Sequence, residues 1–168
     1  MALQEIDPRR KFDIEESWKR LDLNEGGKLL ALFHAALAYA HQDLIDEDKI
    51  EIYAYLMKTN GLIPFRSPFK FNPVPYSEGL SEHLSGLVRA GFIKRNTGGE
   101  GEYLSIVSKG TEWAENTLTG HGVIVEGLLA PVGREIKRLS QLSSDCLSRE
   151  VFATMERRSP LPSVQRTP

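Results

Sequence analysis

Apolar and polar residues alternate along this chain at spacings that change from segment to segment, and each spacing predicts an element. Within residues 13–23, Ile14, Trp18 and Leu21 recur at i, i+4 and i+7, one face of a short helix. Gly26-Gly27 then reads as a break. The next stretch, KLLALFHAALAYAHQ, is apolar on nearly every side and rich in alanine and leucine, which predicts a central, buried helix. Asp46 reads as the N-cap of a second core helix. Glu47 and Asp48 lie in its first turn, Ile45 and Ile50 sit at staple positions, and Asn60-Gly61 is the stop.

LIPFRSPFKFNPVP holds four prolines and predicts a loop or extended connector, because proline lacks a backbone donor and biases its predecessor away from helix. Ser77 caps a third helix, whose stripe is Leu80, Leu84, Leu87 and Val88 and whose end is Gly91. Residues 92–95 read as a strand, 96–101 as a turn and 102–107 as the returning strand. From Ser108 a further helix turns Trp113 and Ala114 toward the core. The predicted fold is mainly α with a small β-hairpin wing, a winged helix-turn-helix, followed by a C-terminal helical extension.

The expected organisation has an N-terminal extension over residues 1–25 and the winged-helix domain over 26–118. A helical segment follows over 119–155, and a proline-containing tail over 156–168 that has little to bury and is expected to be disordered. Pro131 suits the first turn of a helix running from Val132. Val132, Ile136, Leu139 and Leu142 then share a face that needs covering. A homodimer, the commonest oligomer, would cover it; the domain's own first helices are the alternative.

Composition narrows the function. With 21 Lys and Arg against 23 Asp and Glu, the chain is not a phosphate-coating protein whose affinity comes from bulk positive charge. Residues 1–60 are acidic (8 basic against 12 acidic) and residues 119–168 mildly basic (7 against 5), an asymmetry too small to name a partner. No apolar run reaches the roughly 20 residues of a membrane span, and the polar start is not a secretory signal. The single cysteine, Cys146, forms no internal disulfide and no cysteine zinc cage, which points to a reducing cytoplasm. Its neighbours carry no positive charge to activate a thiolate, so a small apolar contact is expected of it.

Residues 75–118 resemble a prokaryotic group, the YwgA-like and phage-associated winged-helix proteins. Pro75-Tyr76-Ser77 with Leu80, then Gly91-Phe92-Ile93, then Lys109-Gly110 follow that group's pattern, and KLLALF resembles its first helix. Val74 stands where the pattern has glycine, and Val107 where it has a capping threonine. The resemblance covers roughly residues 26–118. It implies a winged helix and a binding role, either as a regulator of a prokaryote or its mobile elements or as an antitoxin-like or adaptor module.

Two surfaces are candidates for that role. The third helix and wing offer Ser81, Ser85, Arg89, Lys94 and Arg95 to a nucleic acid, although Glu78 and Glu82 share the helix face. In the connector, Phe65, Phe69 and Phe71 alternate with Arg66 and Lys70. The phenylalanines either fold back as a lid over the core or form an interaction loop. His34 and His41 share a helix face without an acid at metal-site spacing, so core histidines are expected and no metal or cofactor. GGEGE lacks the GK[ST] ending of a phosphate loop, and no G-x-S-x-G elbow occurs. The expected protein is a cytoplasmic, non-enzymatic binder of DNA or of a protein partner.

Overall fold

Asp13 starts the first helix by accepting the Glu16 N–H at 3.1 Å, and α1 (Ile14–Leu21) buries Trp18 and Leu21 as the spacing predicts. The computed structural model describes residues 13–99, 101–120 and 125–158. The expected disordered tail lies largely outside those residues, as do residues 1–12 of the N-terminal extension. Trp18 Nε1 donates to the Leu62 carbonyl at 2.8 Å, tying the start of the described chain to the connector.

The apolar run forms α2 (Glu25–Ala40), the central helix, with residues buried around most of its circumference. Gly26-Gly27 is not a break but its first turn, capped by Asn24, whose Oδ1 accepts the Gly27 N–H at 2.8 Å. The reason is packing. A Cβ on Gly27 would stand 3.2 Å from Trp113 and 3.1 Å from Leu23, so the small residue lets neighbours approach the helix closely.

Asp46 does not cap the next helix. It belongs to β1 (Ile45–Asp46), and its carboxylate accepts the Asp48 N–H at 2.9 Å, a turn that delays α3 (Ile50–Thr59) to Ile50. Sheet pairing wins over the local cap, because Ile45 is buried opposite Leu104. Gly61 ends α3 as expected: at φ +73° it lets Leu62 N–H reach the Met57 carbonyl at 2.8 Å. The connector is not all loop, since β2 (Lys70–Phe71) pairs with β3 (Pro75–Tyr76) in a short antiparallel hairpin.

Ser77 caps α4 (Glu78–Ala90), its Oγ accepting the Leu80 N–H at 3.2 Å, and Leu80, Leu84 and Leu87 face inward as predicted. β4 (Ile93–Gly98) and β5 (Gly101–Ile106) pair from Ile93↔Ile106 to Gly98↔Gly101, so the strands run into the stretch expected to be turn. With β1 they form an antiparallel sheet in the order β1-β5-β4. α5 (Ser108–Thr119) follows; its N-cap is Val107, which offers no side-chain hydrogen bond. Gly110 is required here, because a Cβ would lie 2.5 Å from the Phe92 carbonyl oxygen. The protein is thus mainly helical with a small antiparallel sheet.

Two further helices beyond residue 118 contribute to the core. α6 (Val125–Ser140) lies along α2 and starts before Pro131, which sits inside the helix and not in its first turn. Leu128 and Leu129, buried in the same core, explain the earlier start. Gly133 makes the close crossing: a Cβ there would collide with Tyr39 Cβ. Val132, Ile136 and Leu139 are 0–1 % exposed within the single chain, and Leu142 packs against the same cluster. These four residues are therefore covered by the chain's own helices and cannot be the expected dimer surface. α7 (Ser144–Arg158) adds Leu147 and Val151, and its Thr154 hydroxyl lies 3.2 Å from the Tyr55 hydroxyl of α3. Cys146 is exposed, contrary to the apolar contact expected of it.

Candidate partner-binding surfaces

The outer face of α4 carries Ser81, Glu82, His83 and Arg89, all exposed, with Ser85 half-buried. It forms one wall of a cleft of about 810 Å³ whose opposite side is the first turn of α2 and whose end is Trp113. Gly26 and Gly86 line this cleft, and added Cβ atoms there would meet nothing nearer than 3.5 Å. The cleft is open and its lining mixed in charge, with Arg89 and Glu82 on the same helix. Among the described residues Arg89 makes no ion pair.

The two cations of β4 do not act together. Lys94 and Arg95 are neighbours on β4, so their side chains point to opposite faces of the sheet. Lys94 is exposed beside Ser105. Arg95 instead turns to Glu47 and donates from Nε and a terminal nitrogen to both carboxylate oxygens at 2.9 and 3.0 Å; Glu102 lies at 3.8 Å. The bidentate bond to Glu47 raises the guanidinium above its ordinary pKa. Of the five residues assigned to nucleic acid, Ser81, Ser85 and Arg89 share the cleft wall, Lys94 lies on β4, and Arg95 is engaged by Glu47.

The connector residues also separate. Phe65 is buried. Phe69 and Phe71 set their rings edge-on to Tyr55, at centroid distances of 5.4 and 5.3 Å, yet Phe71 is 40 % exposed. Arg66 and Lys70 are exposed, and Lys70 lies 3.8 Å from Glu78. Two of the phenylalanines thus behave as a lid and the third presents surface.

What holds this connector escaped the sequence reading. Glu25 Oε1 accepts from the Arg66 N–H, the Ser67 N–H and the Ser67 hydroxyl, each at 2.9 Å. Lys28, almost fully buried, lies 3.2 Å from Glu25 Oε2 and donates to the Pro64 carbonyl at 2.7 Å. Lys109 was matched to a family pattern but not to a task. It donates to the Ala90 carbonyl at 2.8 Å, at the C-terminus of α4, with its ammonium 4.7 Å from the centre of the Phe92 ring. For the Glu25–Lys28 network the only available signals were a lysine beside an apolar run and a glutamate three residues before it.

A second groove, of about 390 Å³, lies between the β2–β3 hairpin and α7, closed at one side by the turn that precedes α3. Ile52, Val74, Leu147, Val151 and Phe152 are its apolar lining.

His34 is half-buried with Nδ1 lacking a hydrogen-bond partner, and burial lowers its pKa against an opposing pull from Glu115. His41 is the exposed C-cap of α2, so the two histidines do not converge. Among the described residues no three potential metal ligands gather, and no helix is long and apolar enough to cross a membrane. Compared with known protein families, curated proteins and solved structures, the chain matches none.

Proposed function

We propose that the chain is a winged-helix module that works by binding a protein partner, as an adaptor or antitoxin-like protein does, and not by catalysis. The order α2, β1, α3, α4, β4, β5, with β5 central in the sheet, supports the winged-helix reading, since it places α4 and the β4–β5 wing side by side. The likeness of residues 75–118 to the YwgA-like and phage-associated proteins points the same way.

One observation carries the choice of partner: Arg95 is held by Glu47 and Glu102. Among the described residues, that leaves Arg89 and Lys94 as the assigned cations outside an ion pair, with Glu78 and Glu82 on the same helix as Arg89. Duplex affinity comes chiefly from several cations neutralising phosphates at once, and this face has too few. The regulator reading retains Ser81, Ser85, Arg89 and Lys94 as its contact set.

Fluorescence anisotropy with a labelled duplex at about 50 mM salt separates the two readings. The full chain is expected to bind no tighter than about 10⁻⁴ M, the weak end of non-specific association. Micromolar binding that falls steeply with salt and is lost in an Arg89→Ala, Lys94→Ala variant would overturn the protein-partner reading in favour of the regulator.

A further inference from the structure

Among the described residues, the large apolar side chains left exposed are Leu44, Phe71, Val74 and Phe152. Two of them meet, because Val74 and Phe152 line the groove between the β2–β3 hairpin and α7, and Phe71 stands on the same hairpin with its ring against Tyr55. Phe152 is 54 % exposed near the middle of α7, beside Leu147 and Val151, which are buried and line the groove. Scattered exposed apolar residues are ordinary, but a group of them around a concavity marks a contact site. The rim has a sign as well. Asp46 and Asp48 line one side, against the half-buried Lys49.

We infer that this groove, at the opposite end of α3 from the Glu25 network, is the docking site of a partner's amphipathic helix bearing Lys or Arg beside its apolar face. The inference rests on the protein-partner reading above and says where and with what chemistry that partner binds. Its volume of about 390 Å³ suits a small number of apolar anchors from successive helical turns, with basic residues meeting Asp46 and Asp48 at the rim. A partner strand does not fit as well, because the free edge beside the groove, β1, is only Ile45–Asp46. Charge at the rim sets orientation and rate of encounter, while the apolar floor sets residence time.

The test uses the full chain and two synthetic amphipathic helices of equal length, one of leucine and lysine, the other of leucine and glutamate. Binding is read by fluorescence anisotropy, and the contact is mapped by amide chemical shifts. The leucine–lysine peptide is expected to bind at least about tenfold tighter, with shifts centred on Val74, Leu147 and Phe152. Phe152→Ser and Val74→Ser should each weaken it by about tenfold while changing the thermal melt little, because both residues are already about half exposed. Asp48→Lys should remove the preference between the peptides. Equal affinity for the two peptides, or shifts confined to α4 and the wing, would overturn the inference. So would a dimer of the full chain that Phe152→Ser dissociates, since a second copy would then fill the groove. Duplex binding through α4 would overturn the function proposed above but leave these peptide measurements readable, so the two failures are distinct.

Discussion

Glu25 and Ser67 are joined twice through one atom: Glu25 Oε1 accepts both the backbone N–H and the hydroxyl of Ser67, each at 2.9 Å. The bonds cross 42 residues of sequence and anchor the connector to the first turn of the central helix. Burial pushes the Glu25 carboxyl upward, but the bonds from Ser67, Arg66 and Lys28 outweigh it and hold the group below its ordinary value of 4.5.

That balance predicts an acid limb to stability. A carboxyl whose folded pKa lies below its unfolded one contributes fully above the unfolded value and loses that contribution as pH falls through the folded value. Glu25→Gln is expected to lower stability at neutral pH by about 1–2 kcal/mol, the scale of hydrogen bonds to a charged acceptor. Its deficit should begin to shrink as the pH drops below 4.5 and vanish only below the lowered folded value, where the parent's own carboxyl becomes protonated. Urea titrations across pH check this; a deficit constant with pH would mean that the charge of Glu25 is not what holds the connector.

Gly133→Ala puts two effects in opposition. Alanine favours helix over glycine by roughly 1 kcal/mol. Against that, its Cβ would collide with Tyr39 Cβ and come within 3.1 Å of the Ala35 carbonyl, forcing α6 away from α2. Overpacking costs of about 1–3 kcal/mol should win, so the variant is expected to be less stable in a urea melt. Stabilisation would mean that the two helices separate more easily than their crossing implies.

Truncation after Thr119 removes α6 and α7 and with them Leu128, Leu129, Val132, Ile136 and Leu139, each at most 1 % exposed. The remaining chain should lose its cooperative thermal transition, because a long face of α2 would be left in water. A folded, monomeric truncation product in circular dichroism and light scattering would contradict the shared core.

Leu84→Asp places a charge on the inward face of α4 at a position 4 % exposed and without a basic partner. A buried, unpaired charge costs on the order of 3–5 kcal/mol, enough to unfold a marginal domain. A thermal melt like the parent's would show that this face of α4 is not buried.

Much of the fold was legible wherever local chemistry and tertiary packing agree. Ser77 with Gly91 bracketed α4, the Ile14, Trp18, Leu21 stripe gave α1, and Gly61 marked the end of α3. Where they disagree, sequence misled. Asp46 has every local feature of a helix cap, but Ile45 is committed to Leu104 across the sheet. Gly26-Gly27 looks like a break because a sequence does not show Trp113 arriving against it from 86 positions further on. Val132, Ile136 and Leu139 were rightly read as needing cover, but a helical stripe does not say whether its own chain supplies it. The candidate surfaces were legible as residue types and not as geometry: nothing local distinguishes Arg95, bound to Glu47, from Arg89, which faces the cleft.

The two tryptophans of this chain stand in unlike settings: Trp18 is 2 % exposed with its Nε1–H on Leu62, while Trp113 is half-buried at the end of the α2–α4 cleft. They give the protein two intrinsic optical reporters. Emission from Trp18 follows the integrity of the core, and shielding of Trp113 from a soluble quencher follows occupancy of the cleft. Single Trp→Phe variants at either position let a titration with any candidate partner be read without a label, and tell a partner that enters the cleft from one that binds elsewhere.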